Sequence, residues 1–464
     1  MKYDIIVIGS GPGGYVAAIR AAQLGKHTAI VERAELGGIC LNWGCIPTKA
    51  LLKSAEIFTE IKNAQSYGVC VDGDVKADFQ AIIQRSRDVA AAMSRGVQFL
   101  LKKNNIDVIQ GFGKVKSGKT VSVTAENGDV CDYQADHIII ATGARSRELP
   151  NVKQNGVSVI GYREAMTLEK QPESMVVIGS GAIGSEFASF YNAIGTKVTI
   201  VEFMPRILPV EDEETSKQIE RSMKKAGITV MVDASVEKVE KENGKCKVFI
   251  NSVKKGMVEM ETDIVLSAVG VTANIENIGL EEVGIKTEKT KIIVDDFYAT
   301  NIAGYYAIGD IVHGPALAHV ASHEALICVE KICGLNPHPL DYDNIPGCTY
   351  ITPEVASVGM TETKATEIGL EIKIGKFPFT ASGKAAASGA KEGFIKVIFD
   401  AKTNRLIGAH LVGDHVTELI TEAVAFRQKK ATAEDILSTI HPHPSMTEAF
   451  MEATAQAMGQ CVHL

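Results

Sequence analysis

Apolar and polar positions along this chain alternate with two periods, and each change of period marks an element. Asp4-Ile5-Ile6-Val7-Ile8 is a short β-branched run, the pattern of a parallel strand buried on both faces. Gly9-Ser10-Gly11-Pro12-Gly13-Gly14 follows, and then Tyr15 to Ala22, an alanine-rich stretch that predicts a helix. Thr28-Ala29-Ile30-Val31 predicts a second strand, closed by Glu32. Glycines at this turn allow backbone N–H groups to approach a pyrophosphate at the helix N-terminus. Glu32 stands 18 residues past Gly14, where a ribose 2′-hydroxyl needs an acceptor.

The whole pattern returns 170 positions later. Met175 to Ile178 leads into Gly179-Ser180-Gly181-Ala182-Ile183-Gly184, a helix follows, and Val198 to Val201 closes on Glu202. Two such units predict two dinucleotides. The bland alternative is that one copy is a structural relic. A 2′-phosphate at the second unit would be repelled by Glu202 and wants arginines. Only Arg206 is cationic before Glu211-Asp212-Glu213-Glu214, so NAD is favoured over NADP.

Elsewhere, helical patterns occupy roughly 50–63 and 77–104. Asp136 to Gly143 and Asp263 to Gly270 each read as a strand ending in a glycine-containing turn. Tyr305 to Asp310 puts an acid at a strand end, and a helix is predicted from about Ala316 to Cys333. After Pro346-Gly347 the pattern changes. Strands are predicted at about 371–379, 393–400 and 405–412, and helices at about 415–430, 433–440 and 446–459. This is an α+β module with no phosphate loop.

Length and composition set bounds on this picture. At 464 residues the chain exceeds the size at which one core stops growing, so several domains are expected. Lys and Arg number 48 against 56 Asp and Glu, a net charge of −8 with no basic tract, which argues against a nucleic-acid binder. No apolar run approaches a membrane span. The first strand starts by Asp4, which leaves no room for a targeting peptide and points to the cytoplasm; a trimmed organellar chain would read the same. Nine scattered cysteines are not a secreted disulfide framework.

Two of those cysteines are close. Gly37-Gly38-Ile39-Cys40-Leu41-Asn42-Trp43-Gly44-Cys45-Ile46-Pro47-Thr48-Lys49 places Cys40 and Cys45 five apart, directly after the first dinucleotide unit. On a helix, a modest distortion would let such a pair bond. Half a zinc site and two buried free thiols are the alternatives, but zinc pairs sit closer and need a second pair. Position beside a redox cofactor favours a dithiol that stores two electrons. At the other end, His441-Pro442-His443-Pro444-Ser445-Met446-Thr447-Glu448 has three readings. Ser445 and Glu448 fit a capping box, one histidine with Glu448 fits a general base and its orienting acid, and His-x-His could bind a metal.

Taken together, these motifs resemble one family over essentially the whole chain, the flavin-dependent pyridine nucleotide–disulfide oxidoreductases. The likeness rests on the two Rossmann units, GGxCLNxGCIPxK, the Ala-Thr-Gly and Gly-Asp turns, and HxHPxxxE. It implies an α/β fold of two Rossmann-like dinucleotide-binding domains plus a C-terminal α+β dimerisation domain. The implied division is 1–145 FAD-binding, 146–272 NAD-binding, 273–345 central and 346–464 interface. It also implies an enzyme that oxidises protein-bound dihydrolipoyl groups, passing electrons through a Cys40–Cys45 disulfide and FAD to NAD. Another FAD-dependent disulfide or metal-ion reductase is the same-family alternative. The expected partners are a second copy of the chain and the lipoyl domains of 2-oxo acid dehydrogenase complexes or the glycine cleavage carrier protein.

The resemblance also assigns residues. Gly9, Gly11, Gly14 and Glu32 match positions at the FAD adenosine and pyrophosphate. Lys53, Thr142, Gly143, Asp310 and Ala318 match positions lining the FAD, as do Gly113 and Ala144. Cys40 matches the interchange thiol and Cys45 the thiol beside the flavin. Lys49 and Glu186 match an ion pair near the flavin and nicotinamide. Gly179, Gly181, Gly184, Glu202 and Gly270 match the NAD site. His443 matches the base and Glu448 its orienting acid, reaching into the partner's site. No metal is implied. Trp43 and His323 receive no role, and Cys461 is expected to be a free surface thiol.

Overall fold

The computed structural model describes residues 2–464 and divides into two compact units. The first takes residues up to 51, 80–147 and 270–340; the second takes 52–79, 148–269 and 341–464.

In the first unit, strand Lys2–Ile8 lies between Thr28–Glu32 and Val130–Ile140, all parallel. Asp107–Gln110 extends one side and Tyr305–Ala307 pairs with the end of Val130–Ile140. Alternation along Lys2–Ile8 is used on both faces. Ile5 and Val7 pack with Ala17, Ala18 and Ala21 of helix Pro12–Gln23, and with Val97, Leu101 and Ala325 from helices Phe79–Lys103 and Ala318–Ile332. Ile6 and Ile8 pack with Val115, Val121 and Val123 of the antiparallel strands Phe112–Lys116 and Thr120–Thr124. Val130–Ile140 reaches six residues further back than the predicted strand, because its first half pairs antiparallel with Thr120–Thr124.

In the second unit, Ser174–Ile178 lies between Lys197–Val201 and Ile264–Ser267 in a five-stranded parallel sheet. A three-stranded meander, Ala234–Glu242, Lys245–Ser252 and Gly256–Thr262, covers it through Val236, Val248 and Ile250. The sequence reading missed this meander: its outward positions are Lys and Glu, and its strands leave only a weak alternating trace. The C-terminal module is a five-stranded antiparallel sheet backed by helices Val416–Gln428 and Glu448–Ala457.

One face of that sheet carries a polar row. Ser357, His410, Lys396 and Lys376 are register partners across four adjacent strands. Lys396 is 1% exposed and meets Asp212 at 3.0 Å, Glu214 at 3.0 Å and Glu362 at 2.6 Å. Burial alone would strip its proton, but the three carboxylates outweigh that and hold it charged. Lys396→Met would leave Asp212, itself 1% exposed, without its cation. We expect a loss of about 3–5 kcal/mol, read as a lower denaturant midpoint, and partial recovery when Asp212→Asn is added. A midpoint equal to that of the parent protein would rule this out.

Candidate active site

Both glycine loops sit at the carboxyl ends of their strands, beside the point where strand order reverses, the place an open α/β sheet binds ligands. Their geometry repeats closely. Gly9 N–H donates to the Val31 carbonyl at 2.7 Å, and Gly179 N–H to the Val201 carbonyl at 2.9 Å. A Cβ on Gly14 would lie 1.9 Å from the Gly9 carbonyl oxygen, and one on Gly184 2.1 Å from that of Gly179. Only glycine lets each helix start so close to its strand. At Gly11 and Gly181 a Cβ would meet nothing within 4 Å, and neither residue caps its helix with a side chain. Open space and uncapped N–H groups together form a cradle that fits a pyrophosphate.

Glu32 and Glu202 are buried and bind their loops in the same way. Glu32 Oε2 accepts from Ser10 N–H at 2.8 Å and from its hydroxyl at 2.6 Å, while Oε1 accepts from Arg33 and Ala34 N–H. Glu202 Oε2 accepts both Ser180 donors at 2.7 Å, and Oε1 accepts only Met204 N–H. A carboxylate has about four acceptor sites. Glu202 therefore has one left for a ribose hydroxyl, whereas at Glu32 a hydroxyl must share or displace a donor.

The acidic run downstream of Glu202 needs a different account from the sequence reading. Asp212 and Glu214 bind Lys396, Glu211 is buried, and Glu213 pairs with Lys217. Asp212, Glu213 and Glu214 thus have their charges met by lysines within the fold.

The two cysteines do not share one helix. Cys40 lies in Gly38–Asn42 and Cys45 opens Cys45–Lys62, five residues before the predicted start. Gly44 makes the break: a Cβ there would crowd the Ile39 carbonyl at 3.0 Å and Cys40 Cα at 3.3 Å. Pro47, in the first turn, and the Thr48 hydroxyl, 2.7 Å from the Gly44 carbonyl, favour the new start. The redox segment hangs from the first glycine loop. Gly37 N–H donates to the Ser10 carbonyl at 3.1 Å, and a Cβ on Gly38 would come within 2.8 Å of Gly11 Cα. Neither cysteine is in a disulfide in this structure. A hydrogen bond to Cys45, with burial, holds the Cys40 thiol far above the ordinary range, against the pull of Lys49. Loss of the Cys40 proton is therefore opposed both by its contact with Cys45 and by burial.

Trp43 now has a physical role. Its ring lies under the Arg87 guanidinium, 4.6 Å from ring centre to carbon, and its indole N–H reaches Glu35 at 3.3 Å. Arg87 also donates to the Asn42 carbonyl, Ser86 to that of Pro47 and Arg85 to that of Ala50. Sequence reasoning missed these three consecutive residues. The signal was there: a polar triplet that no single exposed helix face can accommodate.

Other predicted positions fall as follows. The Thr142–Gly143 turn is clamped by Asn274, another omission: the Thr142 hydroxyl donates to its carbonyl at 2.7 Å and its N–H donates to Gly143 at 2.8 Å. Asp310 sits in the tight turn Gly309–Ile311, and burial raises its carboxyl above the usual range despite Lys291. Ala318 opens helix Ala318–Ile332, and Ala144 is buried on Ala144–Ser146. Gly113 turns its missing side chain toward Ile8, where a Cβ would lie at 2.9 Å. Gly270 accepts from Arg147 N–H at 2.9 Å. Lys53 pairs with Glu56 at 2.7 Å. Lys49 lies in the first unit; Glu186, in the second, accepts from Tyr350 N–H at 3.0 Å.

The histidine motif lies in the second unit. His443 Nδ1 is 2.8 Å from Glu448 Oε1, and Ser445 N–H donates to Glu448 Oε2 at 2.8 Å. One carboxylate thus serves both the orienting and the capping readings. The capping box is only half formed, since the Ser445 hydroxyl turns to Thr447. Burial works against ionisation of Glu448, but the Ser445 amide and His443 hold it below the usual carboxylate range. Cys461 departs from expectation: half-buried, it donates to the buried Glu452 at 3.2 Å.

Comparison with known proteins places this geometry. Residues 3–325 match the model for pyridine nucleotide-disulphide oxidoreductases, and 345–454 match the dimerisation domain of that family. Dihydrolipoyl dehydrogenase of Rhizobium etli is 48% identical over 100% of this chain and 99% of its own. The Zymomonas mobilis enzyme of that name is 47% identical over 99% of both. The mitochondrial one of Pisum sativum is 39% identical over 99% of this chain and 92% of its own. Among solved structures, LpdA of Mycobacterium tuberculosis superposes with a TM-score of 0.90 at 27% identity, over 97% of this chain and 98% of that one. The flavoprotein disulfide reductase RclA of Escherichia coli does so with 0.88 at 26%, over 98% and 99%. The chain belongs to the pyridine nucleotide-disulphide oxidoreductase family and, within it, to the dihydrolipoyl dehydrogenases.

Proposed function

We propose that the chain oxidises protein-bound dihydrolipoyl groups to lipoyl disulfide and reduces NAD. The observation that carries this is the Cys40–Cys45 pair hung from the first glycine loop. A bound FAD would supply the link between two-electron dithiol chemistry and hydride transfer to a nicotinamide. Gly9, Gly11, Gly14 and Glu32 would hold its adenosine diphosphate part, with Asp310, Thr142 and Gly143 among the residues holding the rest. Gly179, Gly181, Gly184 and Glu202 would hold NAD.

The chain's own steps are thiol–disulfide exchange and proton transfer. A substrate thiolate attacks Cys40 in the Cys40–Cys45 disulfide; the S–S bond breaks and Cys45 leaves as thiolate. The second substrate thiolate attacks its neighbour in the mixed disulfide and releases Cys40, which takes up a proton. His443, oriented by Glu448, takes the protons of the substrate thiols. Reclosing the Cys40–Cys45 bond gives up two electrons, so the net change is dithiol plus NAD⁺ to disulfide, NADH and H⁺.

The same reading gives four regions, 1–145, 146–272, 273–345 and 346–464, and a homodimer in which His443 serves the partner's dithiol. Its partners are lipoyl domains of 2-oxo acid dehydrogenase complexes or the glycine cleavage carrier. Its compartment is reducing, the cytoplasm or an organellar matrix. Turnover of dihydrolipoamide tests the proposal. With NAD, kcat/KM should exceed that with NADP about a hundredfold, on the order of 3 kcal/mol from the repulsion between Glu202 and a 2′-phosphate. Comparable values would refute the role of Glu202, and no turnover with either cofactor would refute the function.

A further inference from the structure

The His441-Pro442-His443 segment puts two imidazoles in one loop, and the chemistry above uses only the second. His441 is the buried one, its side chain 3% exposed against 79% for His443. Both of its ring nitrogens face acceptors. Nδ1 is 2.9 Å from the Thr439 carbonyl and Nε2 is 2.7 Å from Glu422 Oε1. A carbonyl only accepts, so Nδ1 carries a proton. Glu422 retains some water access, and an imidazole is about two pH units more basic than a carboxyl, so the proton between them belongs to Nε2. His441 therefore holds its proton to higher pH than an ordinary histidine, the Glu422 hydrogen bond outweighing burial.

Three elements supply what faces it: Glu422 from helix Val416–Gln428, the Thr439 carbonyl after Ala433–Ser438, and Glu448 from helix Glu448–Ala457. The Glu422 hydrogen bond is the main support of its charge against burial, with Glu448 adding a smaller part. In return, His441 is one of the groups that hold Glu448 ionised.

We propose that His441 and Glu422 form a positioning dyad for His443 and Glu448. The His441 cation offsets part of the negative charge of Glu448 and Glu422, and the Glu448 carboxylate fixes the Nδ1–H of His443 and leaves Nε2 for proton transfer. The effect on catalysis rests on the reading of His443 as the proton carrier; the coupling between the two pairs does not.

The test uses FAD-loaded dimer labelled with ¹⁵N-histidine. His441 should keep imidazolium nitrogen shifts to higher pH than an unperturbed histidine does; a His441 that is already neutral at pH 6 overturns the proposal without any variant. Removing the cation with His441→Gln leaves Glu422 and Glu448 unopposed, so His443 should hold its proton to higher pH, by about half a unit. The acid limb of kcat/KM for dihydrolipoamide should rise with it, and His441→Lys should return both to their starting positions. If His441→Gln lowers kcat with neither property moved, the role is structural only and the proposal fails. If the nitrogen titration moves and the acid limb does not, the dyad stands and His443 is not the proton carrier.

Discussion

Cys45→Ser and Cys40→Ser each remove turnover with dihydrolipoamide, by roughly a factor of 10⁴ to 10⁶, yet they leave opposite spectra. Without either sulfur no internal disulfide forms, so electrons have no route from substrate to flavin. The spectra differ because the two thiols differ in their protons. When the pair has lost one proton, the hydrogen bond with Cys45 and burial favour keeping the other on Cys40. On the proposed assignment Cys45 is the sulfur that would carry negative charge beside oxidised flavin, where a thiolate donor gives a long-wavelength absorbance band. Cys40→Ser should therefore keep the band without any reductant, and Cys45→Ser should lack it under all conditions. A band in Cys45→Ser alone would show the two roles reversed.

His443→Gln should lower kcat/KM by about 10² to 10⁴, the usual range for loss of a positioned proton carrier, while FAD content and thermal midpoint stay near those of the parent protein. Glu448→Gln separates the two duties of its carboxylate. A glutamine oxygen can still accept from Ser445 N–H, so the helix start survives, but the charge facing His443 is lost. Activity should fall with a shifted pH profile; an unshifted profile at normal turnover would leave Glu448 a cap and nothing more. Mixing inactive His443→Gln with inactive Cys40→Ser subunits should restore about one working site per mixed dimer. No recovery after verified exchange would mean that each chain builds its own site.

Local periodicity made the two Rossmann units readable. Strand, glycine loop, helix and acid lie within about thirty residues, and their spacing follows from the geometry of one βαβ unit. What the sequence hid depends on distant partners. Nothing near Trp43 points to Arg87, and nothing near Thr142 points to Asn274; both pairings arise only when the chain folds back. Cys40 and Cys45 were readable as a pair, but the break at Gly44 was not, because five residues fit a helical turn as well as a corner. The run Glu211 to Glu214 hid its partners for the same reason: Lys396 and Lys376 arrive from another sheet. His441 was eclipsed by its neighbour, since Glu422, 19 residues away, decides its charge.

The serine–glutamate contacts in the two glycine loops bear on redesign. Glu202 holds the loop shut through Ser180 and Met204, and on the proposed assignment the same carboxylate also offers an acceptor to the ribose. Cofactor preference and loop order therefore cannot be adjusted separately. Exchanging the acid for a small neutral residue to admit NADP would release three donors, two of them on the buried Ser180, at about 1–3 kcal/mol for each one left without a partner. An engineer wanting the phosphorylated cofactor would do better to keep an acceptor at position 202 and place new cations around it. A library that varies position 202 alone will mostly return proteins with a loosened loop and poor affinity for either nucleotide.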